Sequence, residues 1–332
     1  MVPDLCLNAL HVVVNPRPLQ SKRIRRNISG VLLLDKPCGI SSNRALQIIK
    51  RIFAASKAGH TGTLDPLATG LLPICLGEAT KYSLALLGAD KTYEAVLRLG
   101  YISTTGDAEG EISLAGDVKL TLLQVEAVLQ SFIGTITQIP PMYSALKHQG
   151  KPLYTYARKG VEIERQPREV TIYDLRIETL AGDEMCITVK CSTGTYVRTL
   201  AEDIGRALGC GGAYLTALRR STVNNFDLSQ SYTLDKLEAM PLLQRDICLH
   251  PADSLLHNFP AVMLDSAVVL SLLQGQIVAG PPSINDSMEG EKVRLYDREE
   301  NFLGLGEVTA QGEIAPKRLM AEEISAAKAH QS

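Results

Sequence analysis

The densest group of candidate catalytic residues lies in the segment Gly59-His-Thr-Gly-Thr-Leu-Asp65-Pro-Leu-Ala-Thr-Gly70. Its glycines permit backbone conformations closed to other residues, and Pro66 fixes the chain directly after Asp65. A carboxylate held on such a rigid loop suits a catalytic base or a nucleophile. The same composition also fits a tight structural turn in which Asp65 bonds its own backbone. Composition alone leaves both readings open.

Two other stretches have residue types suited to binding a ligand. Lys91-Thr-Tyr93 places an aromatic ring at the start of a strand-like segment, where it could stack on a base or pack in a core. Tyr196 and Arg198 are two residues apart, so an extended segment would place them on one face. The paired donors of an arginine suit a buried carboxylate, although a surface arginine is the simpler interpretation.

Several classes of site lack their sequence signals. The chain has neither a Gly-Lys-Ser/Thr phosphate loop nor a G-x-G-x-x-G motif, and His60 has no second ligand at a metal-binding spacing. The seven cysteines include no Cys-x-x-Cys pair, which is typical of scattered thiols in a reducing compartment. We therefore expect no cofactor and no metal. No apolar run approaches about 18 residues, so we predict a cytoplasmic protein without a membrane span.

The elements that must position these residues are helices and strands in irregular order. Residues 31–34 form an apolar run typical of a buried strand, and Ser41-Ser-Asn43 can cap a helix with an apolar stripe to Phe53. Thr121-Leu-Leu-Gln124 is a capping box that begins a second helix. Its predicted buried face is Leu122, Val125, Val128, Leu129 and Phe132.

Residues 93–99 and 185–191 are candidate strands, and no βαβ rhythm connects the elements. The pattern favours an α+β fold with a mixed sheet. The composition changes near Leu249–Pro260, and beyond it come a short helix from Asp265 to Leu273 and several strand-like segments. This predicts a small β-barrel-like C-terminal unit with a boundary near residue 255.

The charge balance argues against binding nucleic acid by bulk electrostatics. The chain has 34 Lys and Arg against 36 Asp and Glu, for a net charge of −2. Locally the picture differs. Residues 1–27 have a net charge of +4 and read as a solvated extension or an RNA-contacting arm, and residues 147–176 hold seven basic against four acidic side chains. The second segment therefore has a local excess of positive charge.

The motifs taken together resemble those of TruB-type tRNA pseudouridine-55 synthases. The resemblance covers about residues 28–320 and rests on motifs that agree in order and spacing: Gly30-Val-Leu-Leu-Leu-Asp-Lys36-Pro37, Gly59-His60-Thr-Gly-Thr-Leu-Asp65-Pro, Lys91-Thr-Tyr93, Pro140-Pro-Met-Tyr-Ser-Ala-Leu-Lys147, Gly194-Thr-Tyr196-Val-Arg198 and Leu218-Arg219-Arg220. Two positions depart from the family pattern, with Thr63 where Ala is common and Thr193 where Lys is common.

The resemblance implies an isomerase of the pseudouridine synthase fold, a mixed and largely antiparallel sheet with flanking helices. It implies a catalytic domain over 28–254 and a PUA-like RNA-binding domain over 255–325, whereas the basic tail over 1–27 is predicted from its charge and is longer than the family pattern. The resemblance also makes residues 147–176 the expected flexible RNA clamp. The expected reaction converts uridine 55 in the tRNA T-loop to pseudouridine after base flipping. An RNA-folding chaperone acting on the tRNA elbow is the alternative, with catalysis secondary.

The resemblance also assigns roles to residues. Asp65 is the expected essential carboxylate, which either attacks C1′ or deprotonates the sugar, with Arg198 and Tyr93 as its catalytic partners. Substrate binding is expected at His60, Tyr196, Leu218 and Lys147. The expected partner is the tRNA T-stem-loop, bound by a monomer. A guide RNA is not expected, because the chain's last residues, 322–332, are short and mixed in charge rather than a long lysine-rich tail.

Overall fold

The computed structural model describes residues 25–282, 284 and 288–320. Most of the predicted basic tail over 1–27 therefore lies outside the described residues. Its last part is packed, since Arg26 forms an ion pair with Asp246 and its backbone N–H donates to the carbonyl of Ala54 at 2.7 Å. Within the described part of the chain, none of the helices has the length and apolar character needed to cross a membrane.

The chain forms strands and helices in the irregular order that the sequence predicts. The strands are β1 (Gly30–Lys36), β2 (Ala58–His60), β3 (Thr69–Leu76), β4 (Lys91–Leu99), β5 (Tyr101–Ser103), β6 (Ile112–Leu114), β7 (Gly134–Gln138), β8 (Lys147–His148), β9 (Lys151–Pro152), β10 (Arg168–Ala181), β11 (Glu184–Cys191), β12 (Ala213–Val223), β13 (Phe226–Asp227), β14 (Leu249–His250), β15 (Ala261–Met263), β16 (Val278–Ala279), β17 (Lys292–Tyr296), β18 (Phe302–Val308) and β19 (Glu313–Leu319). The α-helices are α1 (Ser42–Ile52), α2 (Leu122–Ser131), α3 (Leu153–Ala157), α4 (Val197–Ala207), α5 (Leu234–Ala239) and α6 (Ser266–Leu273).

The central element is a ten-stranded sheet in the order β14-β1-β3-β12-β4-β11-β10-β7, with β2 added to β3 and β13 to β12. All its pairings are antiparallel except that of β3 with β12. The prediction of a mixed α+β sheet is confirmed. The uninterrupted apolar run of β1 is explained by burial on both faces of the strand. Leu32 and Leu34 enter one core cluster, and Val31 and Leu33 enter another on the opposite face.

A second sheet, in the order β15-β17-β18-β19-β16, encloses its own apolar core between residues 262 and 314. It is tied to the main sheet by the segment after β3. The Tyr82 hydroxyl donates to the Arg318 carbonyl at 3.0 Å, Lys81 Nζ donates to the Leu319 carbonyl at 2.8 Å, and the rings of Tyr82 and Phe302 lie 5.4 Å apart. The predicted small C-terminal β unit is present and is packed against the larger one.

Two expectations about local structure are wrong. The capping box at Thr121 is present, but Leu122 is 53% exposed, whereas Val125 and Leu129 are buried. The buried face of α2 therefore begins at Val125 rather than at Leu122. The proposed flexible clamp over 147–176 is also too long, because residues from Arg168 onward belong to β10 in the main sheet. Only the part before residue 168 stands apart from that sheet.

The close approach of β3 and β12 gives a test of this fold. Gly70 has φ +99°, and a β-carbon on it would lie 2.3 Å from the Arg220 carbonyl oxygen. We expect Gly70→Ala to lower the free energy of unfolding by about 3 kcal/mol or more, because the two backbones must separate. Gly182→Ala is the matched control, with φ +64° and open space around the β-carbon, and should lose about 1 kcal/mol. Equal losses in urea unfolding of the two variants would contradict the pairing.

Candidate active site

The loop that carries Asp65 connects β2 to β3 and is fixed on both sides of that residue. Ser42 Oγ, at the first turn of α1, accepts from the Leu64 N–H at 2.7 Å and donates to the Leu64 carbonyl at 2.9 Å. On the other side, the Gly39 N–H donates to the Pro66 carbonyl at 2.9 Å. The backbone of Asp65 is thus held between two tethers, and its carboxylate is presented on a rigid support.

Lys36, at the end of β1, is a third residue that holds the Asp65 loop in place. Its side chain is fully buried, and Nζ donates to the carbonyls of Pro37 at 2.9 Å, Ile40 at 2.7 Å and Pro66 at 3.4 Å. Burial lowers the pKa of Lys36 to about 8, an effect that nearby acidic groups, Asp65 among them, partly oppose. Sequence reasoning missed this role, although the Lys-Pro pair directly after an apolar strand was its signal.

Arg198 is the central cation of the site and contacts three separate segments of the chain. Its Nη2 lies 3.0 Å from Asp65 Oδ2 and donates to the Tyr143 carbonyl at 2.7 Å. Its Nη1 donates to the Thr105 carbonyl at 2.8 Å, and its Nε lies 3.8 Å from Asp107 Oδ2. Arg198 is only 6% exposed. The guanidinium therefore holds Asp65 and two surrounding loops in one arrangement.

The sequence placed Tyr196 and Arg198 on an extended segment, and this is wrong. Tyr196 is the N-cap residue of α4, and Arg198 lies in the first turn of that helix. Gln138, at the end of β7 and buried, anchors the cap, because its amide accepts from the Tyr196 N–H at 3.0 Å and donates to the Tyr196 carbonyl at 3.3 Å. No local sequence pattern pointed to Gln138, because its partner lies 58 residues away.

The carboxyl group of Asp65 is under opposing influences. Its side chain is 38% exposed at the floor of a cleft, and burial raises its pKa above the ordinary value. Arg198 and, more weakly, Lys36 lower the pKa, and the neighbouring Asp107 raises it. Arg198 acts in the predicted direction, but desolvation is the larger effect. The site therefore holds a carboxylate that is more basic than a free one.

The cleft above Asp65 has two lobes that share Asp65, Thr63 and Arg198. The inner lobe has a volume of about 580 Å³, and its walls include Lys91, Tyr93, Tyr196, Leu218 and Arg220. The outer lobe has a volume of about 600 Å³, and its walls include His60, Asp107, Lys147, Tyr154 and Arg158. All seven residues predicted to form the site thus lie around one cleft, with Asp65 at the junction of the lobes.

The aromatic and apolar residues line the inner lobe. Tyr93 is 8% exposed, and burial raises the pKa of its hydroxyl while Arg220 lowers it. Tyr196 and Leu218 are half-buried. Burial likewise raises the pKa of Tyr196. These side chains make the inner lobe suited to a flat, polar ring such as a nucleobase.

His60 and Lys147 lie in the outer lobe. Burial, and then the charge of Arg220, lowers the pKa of His60, so its imidazole is neutral at pH 7. Its Nδ1 is buried and has no hydrogen-bond partner among the described residues. Lys147 is exposed at the rim. Over the described residues, no group of three or more His, Cys, Asp or Glu side chains is arranged to hold a metal ion.

Family models match almost the whole described chain. Residues 50–197 match the model described as TruB family pseudouridylate synthase (N terminal domain). Residues 198–257 match the tRNA pseudouridylate synthase B C-terminal domain, and residues 260–320 match the model described as pseudouridine synthase II TruB, C-terminal.

Individual proteins are similar over nearly their full length. The tRNA pseudouridine synthase B of Nitrosospira multiformis is 67% identical over 307 residues, covering 91% of this chain and 98% of that protein. The tRNA pseudouridine synthase B of Methylobacillus flagellatus is 55% identical over 302 residues, with 91% and 98% covered. Among solved structures, a chain of a Cbf5-Nop10-Gar1 complex superposes with a TM-score of 0.66 at 26% identity, covering 87% of this chain and 84% of that one.

The opposing influences on Asp65 predict two shifts of opposite sign. Arg198→Met should raise the pKa of the Asp65 carboxyl, because the cation that favours its charged form is lost. Asp107→Asn should lower it, because a like charge is lost. Carboxyl ¹³C NMR titration, with Asp65→Asn to assign the resonance, measures both. A pKa that stays unchanged in both variants would contradict the electrostatic account.

Proposed function

This chain belongs to the TruB family of pseudouridylate synthases, and we propose that its substrate is uridine 55 in the T-loop of tRNA. It is an isomerase that forms pseudouridine, and its fold is that of the pseudouridine synthases. The observation that carries the proposal is the ion pair of Asp65 and Arg198, which lies at the junction of the lobes beside the walls formed by Tyr93 and Tyr196. A ribose above Asp65 with its base in the inner lobe fits this arrangement.

Asp65 acts on the sugar in this proposal. The reaction breaks the N1–C1′ bond of uridine and forms a C5–C1′ bond, so nothing is oxidised or hydrolysed. Asp65 either attacks C1′ or removes a proton from the sugar to give a glycal-like intermediate. Both routes need an unprotonated carboxylate at the junction of the lobes, and Arg198 favours that state. Tyr93 stacks on the base, with Tyr196 and Leu218 as the further walls of its pocket.

The target base must leave its stacked position in the T-loop to reach the inner lobe. Flipping a nucleotide costs a few kcal/mol, which contacts to the flipped base and backbone must offset. The burial of Tyr93 supports this step, because Tyr93 lines the inner lobe and is 8% exposed, so only a base that has left its stack can reach it. In this proposal His60, which is half-buried in the outer lobe, either helps to disrupt the T-loop or fills the space that the base vacates.

The RNA is held, in this proposal, by the outer part of the cleft and by the C-terminal sheet. Lys147 and Arg158 line the outer lobe and provide cations for phosphates. We propose a catalytic domain over 28–254 and a PUA-like RNA-binding domain over 255–325, the second fixed to the first through Tyr82. The enzyme acts as a monomer on the T-stem-loop, without a guide RNA.

Asp65→Asn tests the assignment of the catalytic carboxylate. With a purified T-stem-loop RNA, we expect single-turnover pseudouridine formation to fall at least 10³-fold, because an amide neither attacks nor deprotonates the sugar. RNA affinity should change by less than about 3-fold. Glu126→Gln, an exposed substitution on α2, is the matched control and should keep full activity.

An undiminished rate for Asp65→Asn would show that the carboxylate is assigned wrongly. The same variant separates catalysis from RNA folding. If it fully rescues a strain that lacks the gene, the chaperone function is the one that matters in the cell.

Lys147→Ala tests the RNA-binding role of the outer lobe. We expect the Kd for the T-stem-loop to rise about 3- to 10-fold, with the slope of log Kd against log salt reduced by about one, since one phosphate contact is lost. The single-turnover rate at saturating RNA should stay within about 2-fold. Lys119→Ala, at an exposed lysine paired with Asp117, is the control and should leave the slope unchanged. Equal slopes for Lys147→Ala and the unmodified enzyme would remove Lys147 from the phosphate-binding set.

A further inference from the structure

Two buried cations in the inner lobe have no carboxylate partner. Arg220 is 1% exposed and Lys91 is 9% exposed, and neither forms an ion pair with any acidic side chain in the described part of the chain. Their neighbours differ in this respect. Arg198 is paired with Asp65, and Arg219, the residue before Arg220, lies 2.7 Å from a carboxylate oxygen of Asp35.

The hydrogen bonds of these two cations go to backbone oxygens and, for Arg220, also to the Tyr93 hydroxyl, so none of them is with an anion. Arg220 Nε donates to the Leu71 carbonyl at 2.7 Å and Nη2 donates to the Gly62 carbonyl at 3.4 Å, while Lys91 Nζ donates to the Ala89 carbonyl. These bonds orient the side chains but do not offset a full positive charge. Buried charges without a counter-ion are costly, so a pair of them in a cavity wall indicates a site for an anion.

The sheet brings the two cations together beside Tyr93. Arg220 on β12 lies opposite Tyr93 on β4 in the strand register, and Lys91 precedes Tyr93 by two residues on the same face. A β-carbon placed on Gly62 would lie 3.5 Å from Arg220 Nη1 and 4.0 Å from Lys91 Cε. Both side chains therefore converge beneath the loop that carries Asp65 three residues later.

The mutual repulsion of the two cations supports this account. Burial, and then the charge of Arg220, lowers the pKa of Lys91 to about 8, while Cys191 and Asp90 act in the opposite direction. An anion between the two would remove the repulsion. The inner lobe holds a nucleobase in the proposed function, and the reaction turns that base into an anion.

We propose that Lys91 and Arg220 bind the uracil anion that forms when the N1–C1′ bond breaks, and so act as catalytic residues. This inference rests on the proposed function. Both electrons of the N1–C1′ bond leave with the base, and the negative charge spreads over N1, O2 and O4. At the sugar, either an Asp65 oxygen bonds to C1′ or the sugar proton moves to Asp65. The leaving group is the same anion in both routes.

The two cations also suit the turn of the base that must follow. Rotation about the N3–C6 axis exchanges N1 with C5 and O2 with O4, so an oxygen occupies each of the two positions before and after the turn. C5 then bonds to C1′. In the first route the bond between Asp65 and C1′ breaks as this bond forms, and in the second Asp65 returns its proton to the sugar. C5 finally loses its proton, and N1 gains one. The two cations are held by hydrogen bonds to the protein, so they stabilise the anion throughout with little reorganisation.

The test compares two leaving groups in Lys91→Met and Arg220→Gln, with Lys91→Arg and Arg220→Lys as charge-retaining controls. The substrates are T-stem-loop RNAs with uridine or 5-fluorouridine at the target position, and the readouts are the single-turnover rate of N1–C1′ cleavage and the RNA Kd. Fluorine at C5 stabilises the uracil anion without help from the protein.

We expect the single-turnover cleavage rate of Lys91→Met and Arg220→Gln to fall about 30-fold or more with uridine. The fall should be several-fold smaller with 5-fluorouridine, and Kd should stay within about 3-fold. The charge-retaining variants should recover most of the rate.

Other outcomes overturn the inference. Equal losses on the two substrates would mean that the cations only position Tyr93 or the sheet, and thermal melting identifies variants that fail to fold. A raised Kd with an unchanged saturating rate would make the pair a phosphate site. Inactive unmodified enzyme, or active Asp65→Asn, would instead refute the proposed function, so the two failures are distinguishable.

Discussion

The site depends on one buried guanidinium that contacts three segments of the chain at once. Arg198 pairs with Asp65 and lies near Asp107. Its guanidinium also donates hydrogen bonds to the carbonyls of Thr105 and Tyr143. A lysine has one charged nitrogen and would lose this fork of donors. The contacts of Arg198 therefore set both the position of the Asp65 carboxylate and the shape of the two lobes that Arg198 lines.

The rest of the fold keeps that guanidinium and its partner in place. Gln138 anchors the start of the helix that carries Arg198, and Ser42 anchors the loop that carries Asp65. Each anchor lies on a different element of the main sheet or on the helix packed against it. Because both anchors are bonds to backbone, the two charged side chains are positioned before substrate arrives, and little reorganisation is needed when charge develops on the sugar or base.

Much of the fold follows from local sequence patterns, and the exceptions have physical causes. The strand over 93–99, the helix after Ser41 and the capping box at Thr121 are present, because periodicity and caps are local properties. Leu122 was wrongly placed in the core, because a helical stripe alone does not show which of its residues meet a neighbouring element. The roles of Lys36 and Gln138 were missed because their partners are distant in sequence.

The sequence by itself determined the family and the candidate residues, because short motifs of Gly, Pro, Asp, Tyr and Arg can be recognised from their order and spacing alone. It also determined that Asp65 lies on a rigid loop. Only the tertiary structure decided which charges are paired. Arg219 and Arg220 are neighbours in sequence, yet one meets Asp35 and the other turns into the inner lobe beside Lys91, since successive residues of a strand face opposite ways. That difference separates a structural ion pair from a site for an anion.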